Sequence, residues 1–306
     1  MFHNTKQPQD SYIKKWTASL LRFLKKHPLR GYFLLVFGLI WLWMIPIYGF
    51  MQYWQGYVPF LIILSPSTMG LIMTAVAEGD SGLNRLLAKC LHWRVSVIWY
   101  VVALISTPVL FFITVFSMPE ASAAFQMPRP SFIWSYFSAL VLGLFRAPII
   151  EELGWRGFAL PRLQERYGAL LGTFILGSLW ALLHLPKWFL TPYGVIGNSL
   201  LETIVPFLKY EGSILGSAII YTWIFNRSNG SIFLSMLFHA SINETFSNFP
   251  NAFFPSLFPK DIVTHLFSQI GFIPLAILVI LLTRGRLGYD YYYQTSHAQQ
   301  IMQTIE

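Results

Sequence analysis

Carboxylates, imidazoles and a carboxamide stand inside or at the ends of stretches apolar enough to enter a bilayer: Glu151 with Glu152, His184, and His239 with Asn243. A charged or strongly polar side chain at membrane depth costs about 2.5–3.5 kcal/mol even on the lenient insertion scale, so several on separate helices mark a functional site. Their types suit one chemistry, the activation of a water molecule. In the segment EELGWR, a helix places Glu152 and Arg156 four apart on one face, the geometry of a stabilising pair, and turns Glu151 about 100° away. An apolar setting disfavours a carboxylate's charged form, which suits general-base work near neutral pH, and Glu151 is the candidate base. The bland alternative is a carboxylate pair at the membrane surface, neutralised by Arg156 and Arg162.

His184 lies in WALLHLPKW, one helical turn after Trp180. Taken singly, a histidine near a helix end is more often structural than catalytic. His239 and Asn243, in LFHASINETF, change that balance: four residues apart on one helical face, they can donate hydrogen bonds to a developing oxyanion. The same pair could instead be an interhelical clamp. Other catalytic systems are missing from the sequence. It has no H-E-x-x-H helix and no G-x-S-x-G elbow, and Asp10, Asp80, Asp261 and Asp290 all fall outside the apolar spans, which excludes an intramembrane aspartyl dyad.

The elements that must position these residues are membrane helices. The chain is 55% hydrophobic and 11% charged with a mean hydropathy of +0.54, against about 25% charged for an average soluble domain. Apolar runs long enough for a ~30 Å core occur at 32–50, 58–77, 95–116, 132–150, 169–188 and 265–282. A short run at 214–225, extendable upstream, and one at 232–246 interrupted by His239 and Asn243 bring the total to about eight spans; seven would reverse the C-terminus. With the N-terminus inside, only Arg129, Lys187, Lys209 and Lys260 fall among the outer segments, as the positive-inside rule requires. The basic residues therefore report topology rather than a nucleic-acid surface. Pro148 and Pro186 flank the polar cluster, so irregular backbone is expected there, the kind tolerated where it lines a wet cavity.

The expected fold class is all-α, a polytopic transmembrane helix bundle with an N-terminal amphipathic basic segment. In that segment Tyr12, Trp16, Leu20 and Phe23 recur at helical spacing among Lys14, Lys15, Arg22, Lys25 and Lys26, which suits a helix on an anionic membrane face as well as a solvated basic tail. Residues 1–30 form this cytoplasmic or interfacial segment, 31–289 one membrane domain and 290–306 a tail. No cleavable secretory signal is expected, and the C-terminus IMQTIE carries no prenylation signal. Cys90 is the single cysteine, which rules out an intrachain disulfide and reads as inert.

The double glutamate with arginine four after the second, the aromatic four before a histidine and the histidine four before an asparagine together resemble the CPBP family, the CAAX-processing and bacteriocin-processing intramembrane endopeptidases, also called the abortive-infection family. The similarity spans roughly residues 66–289 and includes SPSTMGLIMTAVAEGDSGLNRLL, GFALPRLQERYGAL and GRLGY. The resemblance implies that Glu151 with His184 activates a water, that His239 and Asn243 stabilise the oxyanion, and that Glu152 and Arg156 support them. Trp180 stands where the family usually has phenylalanine. A metal stays open: Glu151, His184 and His239 are acceptable zinc ligands, and the family is often labelled a metalloprotease, yet a glutamate with a histidine can activate water unaided.

The expected activity is peptide-bond hydrolysis within or at the cytoplasmic end of the membrane. The partners are a peptide or protein substrate, either a prenylated C-terminus or a bacteriocin-type peptide, and the lipid bilayer, with no nucleic acid. The resemblance points to a bacterial plasma membrane with both termini cytoplasmic. Nothing in the sequence sets the oligomeric state. The rival readings are a non-proteolytic immunity or scaffold protein and a proton-coupled transporter, the latter disfavoured by the lack of internal repeats.

Overall fold

The computed structural model describes residues 7–50, 65–118, 120–186, 200–257 and 272–295. Among these every regular element is a helix: α1 Gln7–Lys26, α2 Pro28–Phe50, α3 Pro66–Cys90, α4 Val97–Phe116, α5 Phe132–Gly143, α6 Ala147–Glu152, a π-helical stretch Leu153–Ala159, α7 Leu160–Tyr167, α8 Ala169–Leu183, α9 Leu200–Arg227, α10 Ile232–Phe253 and α11 Phe272–Thr283, with a single helical turn at Ala121–Ala124. The beginning of the apolar run at 58–77, the end of that at 169–188 and the beginning of that at 265–282 lie outside the described residues, as do Lys187 and Lys260.

Val97–Phe116 and the run Phe132–Tyr167, taken together across its break, are long and apolar enough to cross a membrane, and shorter apolar helices stand at Pro28–Leu42, Ala169–Leu183 and Phe272–Thr283. Their exposed faces separate them from the core helices of a soluble protein. Along α4, Val97, Val101, Ile105, Val109 and Ile113 recur every fourth residue and are all exposed, while Trp99, Ala103, Thr107 and Phe111 on the other side are buried. Ile133, Trp134, Phe137 and Val141 continue such a surface on α5. Contiguous exposed apolar stripes of this extent belong against lipid. The chain is an integral membrane protein.

The boundaries depart from the apolar runs for local reasons. The α3 helix continues past the apolar stretch to Cys90, with Gly79 at φ +66° breaking its regularity where the sequence turns polar. The short run at 214–225 belongs to a helix that starts at Leu200. The expected span at 132–150 is interrupted at residues 144–146, because Pro148 lacks the N–H that would continue the ladder and so sits in the first turn of a new helix.

Close backbone approach fixes how the glutamate segment sits in the bundle. Gly154 lies against the start of α3, and a Cβ there would fall 2.2 Å from the Pro66 carbonyl oxygen and 2.6 Å from the Tyr32 hydroxyl. Gly70 faces Gly154 in turn, its Cβ position 2.8 Å from the Gly154 Cα. The α8–α9 seam uses the same device, with Gly177 against Leu215 and Ala218, and adds a Thr173–Thr222 hydrogen bond of 2.9 Å. Gln164 and Asn226 exchange amide hydrogen bonds of 3.1 and 2.7 Å, and Asn226 also donates to the Leu287 carbonyl at 3.0 Å, pinning α7, α9 and the chain after α11 together.

Gly154→Ala tests this packing, because alanine is the better helix former and by propensity alone would stabilise. The expected outcome is a lower thermal unfolding midpoint in detergent, since overpacking of a tight contact costs about 1–3 kcal/mol.

Candidate active site

The site is built around α6 and the π-helical stretch that follows it. Leu160 donates its N–H to the Trp155 carbonyl, five residues back, so the turn carries one extra residue and is underwound where the chain leaves the glutamates. Such π segments recur at functional sites because they re-aim side chains on either side. Glu151 and Glu152 consequently meet different surroundings.

Glu152 is 0% exposed and Arg156 1%. Arg156 Nη1 donates to Glu152 Oε1 at 3.1 Å, and His239 Nδ1 approaches the same oxygen at 2.6 Å. The Arg156 guanidinium lies between two rings, its Cζ 3.8 Å from the Tyr221 centroid and 4.4 Å from that of Trp180. A desolvated cation gains about 2 kcal/mol or more from such a face. The His239 ring is seated against the same two aromatics, at 5.9 Å from Trp180 and 6.1 Å from Tyr221. With Nδ1 committed to Glu152, Nε2 is the ring nitrogen available to a substrate.

Glu151 is half-buried and accepts a 2.8 Å hydrogen bond from Trp180 Nε1 at its Oε2. Trp180 also meets His184, whose Nδ1 lies 3.0 Å from the Trp180 carbonyl oxygen. The histidine caps α8 and its ring packs edge-on against Tyr210 at 5.7 Å. Trp180 thus links the two groups expected to activate water. Asn243 lies one turn beyond His239 on α10, half-buried, and none of the side-chain hydrogen bonds of the described residues uses its carboxamide.

Several polar atoms in this region are buried without a hydrogen-bond partner among the described residues: Glu152 Oε2, Arg156 Nε and Nη2, and the hydroxyls of Tyr32 and Tyr221. Buried polar groups are nearly always paired, so a cluster of such atoms is a place that takes up water or a polar ligand. Glu151, His184 and His239 do not converge as a ligand set, since no three of His, Cys, Asp and Glu among the described residues stand close enough to hold one ion.

The structure therefore brings Glu152, Arg156 and His239 into one cluster, joins Glu151 to His184 through Trp180, and places Asn243 beside them on the His239 helix. Sequence reasoning paired Glu152 with Arg156 and His239 with Asn243, but not Glu152 with His239. It also passed over Tyr32, the first residue of the run 32–50, and Tyr221, whose signal was a tyrosine inside the run 214–225, and the ion pair Arg146–Glu244 at 3.1 Å, whose signal was an arginine inside the run 132–150.

Residues 132–245 match the family described as Rce1-like, "Type II CAAX prenyl endopeptidase Rce1-like". The matched segment is just over a third of the chain. It contains Glu151, Glu152, Arg156, His184, His239 and Asn243, in agreement with the resemblance read from those motifs. A curated relative, CAAX prenyl protease 2 of Methanococcus maripaludis, is 36% identical over 116 residues, which is 37% of this chain and 41% of the relative's length.

The shared Glu152 oxygen at the centre of the Rce1-like segment carries a stability consequence. Removing one partner of a buried ion pair strands the other charge and costs about 3–5 kcal/mol, whereas replacing both by apolar groups can be nearly neutral. Glu152→Leu or Arg156→Leu alone should lower the unfolding midpoint more than the double substitution does. A double variant less stable than both singles would contradict this.

Proposed function

We propose that the protein is an intramembrane endopeptidase in which Glu151 activates the attacking water. The observation that carries this reading is the convergence of Glu151, Trp180, Glu152, Arg156 and His239, from well-separated stretches of an apolar chain, inside the Rce1-like segment. An ion-paired, hydrogen-bonded set of this kind is costly within lipid and points to chemistry.

In the proposed mechanism Glu151 takes a proton from water as the oxygen attacks the scissile carbonyl carbon. Trp180 Nε1 holds the Glu151 carboxylate in one orientation, and its carbonyl holds the His184 ring beside it. The oxyanion that forms is received by His239 and the Asn243 carboxamide, donors already fixed on one helix before the substrate arrives. His239 donates from Nε2, its ring held in place through the contact of Nδ1 with Glu152. Collapse of the tetrahedral intermediate breaks the C–N bond, and the proton held on Glu151 passes to the leaving amine.

The relative's name, CAAX prenyl protease 2, favours a prenylated C-terminus over a bacteriocin-type peptide as the substrate class. The proposed setting is a bundle of eight spans in a bacterial plasma membrane with both termini cytoplasmic and α1 on the membrane face. In α1 the exposed Tyr12, Trp16, Leu20 and Phe23 support that placement.

Glu151→Ala should abolish cleavage of a prenylated C-terminal peptide by the detergent-purified protein while leaving its elution profile and unfolding midpoint unchanged. Retained full turnover would remove Glu151 from the mechanism. Because no three of His, Cys, Asp and Glu among the described residues stand close enough to hold one ion, the proposed water activation is metal-free. Activity should then persist after chelation, in protein shown by elemental analysis to hold less than one zinc per chain; stoichiometric zinc with activity lost on its removal would overturn this.

A further inference from the structure

Arg146 lies inside an apolar run and takes no part in the Glu152 cluster. Its Nη1 donates to Glu244 Oε1 at 3.1 Å, with the arginine side chain 64% exposed and the glutamate's 6%. Leu142, Phe145 and Ile149, on either side of it in the chain, are exposed apolar side chains. The α5 helix from Phe132 to Gly143 advances about 17 Å at 1.5 Å per residue, and Arg146 follows it beyond the break at residues 144–146, more than half-way through a ~30 Å core. An arginine open to the outside at that depth is expensive if it faces lipid, and the recurring solution is a water-filled opening.

A pair serving only to neutralise itself has no need of an exposed side. Here the glutamate is enclosed and the arginine is the open partner. Glu244 is held in place by Asn248, whose Nδ2 donates to its Oε2 at 3.2 Å and to its carbonyl at 2.7 Å. Gly143 gives it room, since a Cβ there would sit 2.8 Å from Glu244 Oε1. The guanidinium is thus anchored by one nitrogen, and the donors on Nη2 and Nε keep their fork geometry, which matches a carboxylate. Glu244 directly follows Asn243, and Arg146 precedes Glu151 by five residues, about 7.5 Å along a helix axis. An extended peptide advances about 3.3 Å per residue, so a group held near Arg146 lies two or three residues from a carbonyl held at Glu151.

We propose that Arg146 is a carboxylate-binding, specificity-determining residue that receives the free C-terminal carboxylate of the substrate, with Glu244 as its anchor. This inference rests on the peptidase reading and adds to it which end of the substrate the site measures from.

The test compares two prenylated peptides identical except for a C-terminal acid or carboxamide, cleaved by the full chain in phosphatidylcholine nanodiscs. The wild type, Arg146→Gln, and the double variant Arg146→Gln with Glu244→Gln are run in parallel, the double avoiding a stranded Glu244 charge. The wild type should cleave the acid with a kcat/KM about tenfold or more above the amide, the scale of a charge-assisted hydrogen bond. In both variants that preference should fall toward one. Equal cleavage of acid and amide by the wild type overturns the assignment and leaves the peptidase reading intact. An acid preference that survives in the variants, or an equal loss on both peptides, also overturns it. So does an Arg146-dependent response to added phosphatidylglycerol that is the same for both peptides, which would assign the arginine to a lipid headgroup. No cleavage of either peptide by the wild type removes this inference together with the peptidase reading for prenylated substrates.

Discussion

A single carboxylate oxygen, Oε1 of Glu152, takes hydrogen bonds from Arg156 and His239 in a place with almost no exposure. In a low-dielectric interior an unpaired charge is far more expensive than in water, so these groups tolerate no separation. The requirement organises the bundle around them. Arg156 stands four residues after Glu152 on the π-helical stretch, α8 and α9 supply the Trp180 and Tyr221 rings that enclose its guanidinium, and α10 delivers His239. The close approach of Gly154 to the Pro66 carbonyl then locks α3 against the same stretch.

Because Glu152 is occupied in this way, Glu151 is the carboxylate left at the edge of the cluster. It is half-buried and oriented by the Trp180 indole, a position from which a group can meet both water and substrate. Neighbouring residues in the chain thus meet different surroundings, one enclosed in the ion-paired cluster and one at its edge. The same separation holds on α10, where His239 is tied to Glu152 and Asn243, a turn further on, has no side-chain tie among the described residues.

The helices were legible where an apolar run had the length of a bilayer, as at 95–116, since burial on one side and lipid on the other impose a continuous pattern. Boundaries were less so. The break at residues 144–146 follows from Pro148, the Glu244 carboxylate that packs against Gly143 beside it comes from about a hundred residues away in sequence, and the upstream half of α9 carries enough polar residues to hide a helix. At the site, Glu152 and Arg156 could be paired because four residues on a helix share a face. The Glu152–His239 bond could not, because no local spacing relates two helices that meet only when the bundle closes. Arg146 was visible as a charge inside an apolar run, but reading basic residues for topology directs attention to the loops. Gly154 shows its purpose only through the Pro66 backbone it touches.

The functional centre of this arrangement is the claim that Glu152 acts through His239. The direct measurement is the kcat of Glu152→Gln, His239→Ala and the double variant, each confirmed as folded. Residues that act as a unit are strongly non-additive, so the double variant should be no slower than His239→Ala alone. A double variant slowed by the product of the two single effects would show that Glu152 and His239 work independently and would contradict the proposed positioning.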